Sequence, residues 1–328
     1  MDLAAAGRRS STVKRREFIA GAASLVLAPR SLARAASRAP LALVTADRDA
    51  KLVAVDLWSG AVHGSIPTLP YPRSIERVGS HAVVAHSEIG ALTVIDAQTL
   101  RATHVIRGLR EPRYTAAHPD GRHAFVTDAT LGEVVCVDVL RGRIVGREFV
   151  GARARHVTTD PRGRRLWIAL GSKAARIAVV DVTRPSRPQL VASFAPPFLA
   201  HDVAWAPTGG YVWVTSGDRA EIIVYAARTG RLVRVVSADA PPQHVTFAGE
   251  TAFVSSGWSG TMRIHDVRGR PRSWTAVPVG SYNVQQGEDR VVTPSLERGT
   301  ISILDERGRL LRTRRLARSC HDACLTPR

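Results

Sequence analysis

Aromatic residues make up only 5% of this 328-residue chain. That scarcity argues against a long track of base-stacking platforms, which single-strand nucleic-acid binders need. Lysine is nearly absent, at three of 46 basic residues, so the charge is carried almost wholly by arginine. The chain has no G-x-S-x-G elbow, no Gly-rich phosphate loop and no H-E-x-x-H sequence, which removes the usual signatures of α/β-hydrolases, nucleotide enzymes and zinc proteases. No apolar run reaches the ~20 residues that a membrane span requires. Cysteine occurs only as Cys136, Cys320 and Cys324. Cys320 and Cys324 suggest a disulfide, but on one extended strand they would lie about 13 Å apart, beyond the ~7 Å Cα limit, so a bridge needs a bend.

What is present begins with an N-terminal processing pattern. Lys14-Arg15-Arg16-Glu17-Phe18-Ile19 places a twin arginine before a short apolar stretch, Ile19 to Ala28, and Ala33-Arg34-Ala35 follows. That order of charged region, apolar region and small-x-small site reads as a Tat-type export signal over residues 1–36, marked by Arg15, Arg16 and Phe18 and cut near Ala35 or Ala36. A periplasmic, cell-envelope or secreted location follows. Residues 37–328 keep 39 basic against 26 acidic residues, a formal +13. Such a surplus favours an anionic ligand, an acidic polymer or an envelope partner. Scattered arginines are equally the expected mark of a solvated surface and of genomic base composition.

An Asp-terminated apolar strand recurs seven times, ending at Asp56, Asp96, Asp138, Asp181, Tyr225 (where Asp is replaced), Asp266 and Asp305. The intervals are 40, 42, 43, 44, 41 and 39 residues. This period, carrying strand patterns and no helical ones, predicts an all-β, seven-bladed β-propeller of four-stranded antiparallel blades. In the third repeat the strands fall at 121–128, 133–138 and 144–150, and 154–159 opens the next blade. Pro119-Asp120-Gly121, Pro161-Arg162-Gly163 and Pro207-Thr208-Gly209 supply tight turns between the innermost and second strands. The strand-end aspartates read as turn caps, accepting backbone N–H bonds, and not as catalytic carboxylates.

The innermost strands start at Arg73, Arg113, Arg155, His201, Gln243, Tyr282 and His321. The last is at the C-terminus, and its outer strands, 41–47, 51–56 and 61–66, are at the N-terminus. The ring is therefore expected to close by pairing the chain ends, which removes open sheet edges.

Ala124-Phe125-Val126-Thr127-Asp128, Val212-Trp213-Val214-Thr215-Ser216, His118-Pro119-Asp120-Gly121-Arg122 and Val94-Ile95-Asp96-Ala97-Gln98-Thr99 resemble the YVTN-repeat propellers, the group that includes YncE-like periplasmic proteins. The departures are Tyr225 and the Pro-rich turn Arg184 to Pro188. The resemblance covers nearly all of residues 37–328 and implies the propeller fold. It leaves function open among binding proteins, lactonase-like hydrolases and cofactor-bearing domains of redox enzymes, and it extends to a proposed single-stranded DNA binding.

Equivalent strand starts converge at one mouth of a propeller channel. Here they offer His156, His201, His244 and His321 with Asp202 and Asp322 as candidate metal ligands. Arg73, Arg113, Arg155, Gln243, Asn283 and, from a nearby loop, Trp258 are candidates for holding an anionic ligand. His156 and His244 align with each other, whereas His201 and His321 sit one residue earlier, so strand alternation points the two pairs in different directions. The expected function is binding or scaffolding through this face, by a monomer without a membrane span. The alternatives are a metal- or cofactor-bearing redox protein or hydrolase using the histidines, and single-stranded DNA binding. No cofactor is expected, and a metal ion is the alternative that the histidines offer.

Overall fold

The computed structural model describes residues 39–208 and 210–326. The export segment with Arg15, Arg16 and Phe18 lies outside the described residues, as does the turn residue Gly209. Seven four-stranded antiparallel sheets form seven blades, and each innermost strand neighbours those of the blades before and after it. The expected propeller is thus present. Among the described residues the helical content is one short turn, Asp47–Asp49.

Blade 1 joins the chain ends. Its strands, from the channel outward, are Ala323–Leu325, Leu41–Ala46, Lys51–Asp56 and Val62–Pro67. Leu43 pairs with Cys324 and Val44 with Ala323, and the Leu41 N–H donates to Thr326 Oγ1 beyond the ladder. In blade 3 the strands are Pro112–Ala117, His123–Asp128, Glu133–Asp138 and Arg143–Phe149. The second strand starts two residues later than the sequence pattern suggests because Gly121, at φ 66°, is still in the turn.

The two middle strands of each blade are apolar runs because both of their faces are covered by neighbouring blades, whereas outer strands such as Arg231–Ser237 are mostly exposed. Seven apolar clusters result, one per blade interface. Leu43, Leu52, Ile75 and Val84 join blades 1 and 2, and Ala42, Val55, Val292 and Ile303 join blades 1 and 7. The strand-end aspartates cap turns as expected. Asp56 accepts from the N–H groups of Trp58 and Ser59, and Asp96 from those of Gln98 and Thr99. Tyr225 instead packs its ring with Trp167 and Phe194.

The Val-Thr of the repeat has a separate task. Thr215 Oγ1 accepts from the Asp202 N–H and donates to the Gln243 carbonyl of the next blade, at 2.9 and 2.8 Å. Thr45 accepts from the Asp322 N–H and reaches the Arg73 carbonyl. Thr127 links Tyr114 to Arg155, and Ser255 links His244 to Tyr282. A buried hydroxyl therefore ties each of these strand starts to the next around the channel mouth.

All three cysteines are free and buried. Cys320 packs in the interface of blades 1 and 7 and Cys324 in that of blades 1 and 2. Burial pushes the Cys320 thiol up to about 12 and Cys324 well above its ordinary value.

Candidate functional site at the channel mouth

Innermost strands run away from the mouth, so their first residues ring one end of the channel, and just inside them lies a cavity of about 290 Å3. Tyr114, His156, Asp202, His244, Asn283 and Asp322 line it, with Glu76 and Gln285 deeper.

Three of the four candidate histidines meet. One ring nitrogen from each of His156, His201 and His244 lies within 4.8 Å of the others. The His156 ring centroid is 4.6 Å from that of His201 and 4.9 Å from that of His244. Strand alternation had set His201 on a different side from the other two. The strand Ala200–Trp205 loses its regular register between Ala200 and Val203, and that irregularity turns His201 toward its neighbours. The fourth, His321, is outside the cluster. Its Nδ1 donates to the Arg73 carbonyl at 2.7 Å, and Asn283 Nδ2 donates to the His321 carbonyl.

The hydrogen bonds around the three rings fix what each offers. His201 Nδ1 is 2.9 Å from the Ser172 carbonyl, which only accepts, so this nitrogen carries the hydrogen and Nε2 keeps a lone pair. His244 turns Nδ1 toward Asp202 Oδ2 at 3.4 Å, the carboxylate–imidazole arrangement that orients metal ligands. His156 is 1% exposed, and neither ring nitrogen has a hydrogen-bond partner. A buried, unpartnered polar group carries a desolvation cost of about 1–3 kcal/mol. Burial, and then the charges of His201 and His244, hold His156 well below its usual pKa. His201 is held down to about 4, again chiefly by burial. Neutral imidazoles are the ligating form.

A tetrahedral ion with Zn–N bonds of 2.0–2.1 Å would place its nitrogens about 3.3 Å apart. Closing from separations of at most 4.8 Å requires each ring to swing inward by no more than roughly 1 Å, a rotamer-scale adjustment. The donor set therefore fits a first-row transition metal with at least one open position.

Cations of the protein ring the same mouth. Arg113 is lowered to about 10 by burial and by the neighbouring Arg155 and Arg73. It retains one carboxylate contact, Nη1 to Glu111 at 3.1 Å. Arg155 lies with its guanidinium carbon 5.8 Å from the Tyr114 ring centroid, and the Nε atoms of Arg73 and Arg155 are buried without partners. Like charges held together with unused donors favour an anion between them.

Other candidates serve the scaffold. Asp322 accepts from the Ile75 and Ala323 N–H groups, Gln243 Oε1 from the Gly257 N–H, and Asp202 Oδ2 from the Val245 N–H. Trp258 is 69% exposed, and its ring contact is with Tyr282, whereas the ring that Arg155 faces is Tyr114. Tyr114 and Glu76 escaped the sequence reading. Tyr114 occupies the same strand position as His156 and His244, which was the available signal.

These features define a seven-bladed propeller with a polar, histidine-bearing channel mouth. No protein-family model matches the chain, and no curated protein matches it. Solved structures do. A functionally unknown protein from Desulfotomaculum acetoxidans is similar with a TM-score of 0.77 at 11% identity, over 87% of this chain and 98% of the other. Dihydro-heme d1 dehydrogenase NirN in complex with DHE aligns with a TM-score of 0.62 at 14% identity, over 92% of this chain and 78% of that one. Hydrazine synthase of Kuenenia stuttgartiensis aligns at 0.60 and 20% identity, over 76% and 80%. At these identities the likeness establishes the fold.

Proposed function

We propose that this protein is an exported propeller of YVTN type that binds an anionic ligand at its channel mouth, on a first-row transition metal held by His156, His201 and His244. The observation that carries the reading is the convergence of three imidazoles around His156, which is buried with both nitrogens unpartnered. A bound metal would supply Lewis acidity and an open coordination position. Arg73, Arg113 and Arg155 would draw the anion to the mouth and orient it. One structural neighbour is named as a dehydrogenase in complex with DHE, which is in keeping with a cofactor or metal on this fold. Export rests on Arg15 and Arg16, and the R15K/R16K variant is expected to remain in the cytoplasm.

The test is metal analysis of untagged, natively exported protein, followed by Co2+ titration read by visible absorption. One equivalent bound at the mouth is expected, with loss of that equivalent in H156L and H244L. Because leucine leaves no polar atom unpaired, H156L should also be at least as stable as the metal-free parent. Phosphate or a carboxylate should perturb the Co2+ bands, with an affinity at least about tenfold lower in R113A/R155A, since each charge-assisted bond is worth ~1.5–3 kcal/mol. Protein that takes up no stoichiometric metal, natively or on titration, would overturn the reading.

A further inference from the structure

The turn between the first two strands of blade 3, His118-Pro119-Asp120-Gly121-Arg122-His123, carries more chemistry than a turn needs. Asp120 Oδ1 accepts from the backbone N–H groups of Arg122 and His123, both at 2.9 Å. These bonds fix the carboxylate and leave Oδ2 for other partners. His123 Nδ1 lies 2.6 Å from Oδ2 and His118 Nδ1 lies 3.0 Å from it, with the two rings edge to face.

His118 is also gripped from the far side. Its Nε2 is 3.1 Å from the Gly163 carbonyl in the corresponding turn of blade 4. Gly163, at φ 67°, lies so close to the ring that a Cβ there would collide with it. A carbonyl only accepts, so Nε2 carries the ring hydrogen, and Nδ1 of the neutral ring presents a lone pair. That lone pair meets the Asp120 backbone N–H at 3.3 Å and a carboxylate oxygen at 3.0 Å. Two acceptors at that distance call for a positive centre between them, either a proton or a metal ion.

We infer that His118, Asp120 and His123 form a second divalent-metal site, at the end of the propeller opposite the mouth. Their donor atoms lie within 4.8 Å of one another, and two imidazoles with one carboxylate suit zinc, cobalt, nickel or iron(II). The anchors are built in advance, because Asp120 is held by its own turn and His118 by blade 4, and an ion would open the 2.6 and 3.0 Å contacts to about 3.3 Å. It is also open: the Asp120 side chain is 35% exposed, and His118 borders a cavity of about 400 Å3 at this end of the channel. A bound ion would keep coordination positions for a solvent-side donor and would clamp the turn of blade 3.

The site is tested with Zn2+ and Co2+ alone as probes on the untagged protein, by calorimetry and by visible absorption. The parent is expected to take two equivalents, the mouth variant H156L/H201L one, and that variant with D120N and H123L none. The amide that D120N introduces retains an oxygen for the two backbone bonds, so this variant should keep its fold, which the melting temperature checks. In the H156L/H201L background D120N alone should weaken the remaining Co2+ affinity at least about tenfold, as expected for loss of an anionic ligand. A folded mouth variant that binds no Co2+, or binding unchanged by D120N and H123L, overturns this site. Loss of binding on D120N with no effect of H156L/H201L would sink the mouth reading and leave this one standing.

Discussion

Glu76 shows how a single channel residue sets a pH dependence. Desolvation in the narrow channel, followed by the charge of Asp322, pushes its carboxyl up to about 8, and Asp322 itself is raised to about 6, chiefly by burial. Both groups bind protons more tightly in the folded chain, so stability falls as pH rises from about 4.5 towards 8. His156 and His201 act in the opposite sense. Their folded values lie below the ordinary ~6.5, so the unfolded chain binds more protons below that point, and stability is lost as pH falls from about 6.5 towards 4. E76Q isolates one arm of this profile. It should be more stable than the parent by on the order of 2 kcal/mol at pH 8, since channel water tempers the full shift. The gain should shrink toward zero near pH 4.5. Denaturant unfolding of metal-free protein across that range is the measurement, and a pH-independent difference would show that Glu76 is not desolvated.

At the scale of elements, the buried hydroxyls of the middle strands determine how firmly the mouth is assembled. T215V keeps the volume of the side chain but strands the Asp202 N–H and the Gln243 carbonyl. Each unsatisfied buried group costs about 1–3 kcal/mol, so a loss of roughly 2–3 kcal/mol is expected from the denaturant midpoint, with weaker mouth Co2+ affinity because His201 and His244 flank the broken links. An unchanged midpoint would mean that the ladder alone holds these strands. The same elements show what was legible in the sequence. Strand existence, the Asp caps and the closure through Ala323–Leu325 follow from an apolar strand, Asp-ended in six of its seven copies, that recurs every 39–44 residues, and all are present. The direction of His201 was not legible. It depends on a register irregularity between Ala200 and Val203, and comparable breaks occur at Pro72/Ser74 and Pro112/Thr115. Alternation fails where these strands begin, and the mouth is built from those starts. His118 and His123 were hidden for another reason: their spacing is set by a turn whose Pro-Asp-Gly already had a sufficient structural explanation.

For the whole molecule, the question is whether the +18 formal charge acts as a diffuse coat or through a focused site. Many arginines are engaged around the ring. Arg122 pairs with Asp138, Arg165 with Asp181, Arg263 with Asp239 and Arg318 with Asp49. Arg73 and Arg155 keep buried Nε donors unused beside Arg113 and, among the described residues, have no carboxylate pairing of the kind that holds Arg263, whose Nε is also unused. If the mouth is the anion site, a single-stranded oligonucleotide used as a polyanion probe should engage about three cations. The slope of log K against log salt should then be about −2, at ~0.7 per phosphate neutralised. R113A/R155A should reduce its magnitude by about 1.4, and a small dianion should compete with the probe for the parent but not for the variant. A slope steeper than about −4 that the substitutions leave unchanged would assign binding to the arginine coat. Capture of anions would then be a property of composition, and the mouth would have to be explained by its histidines alone.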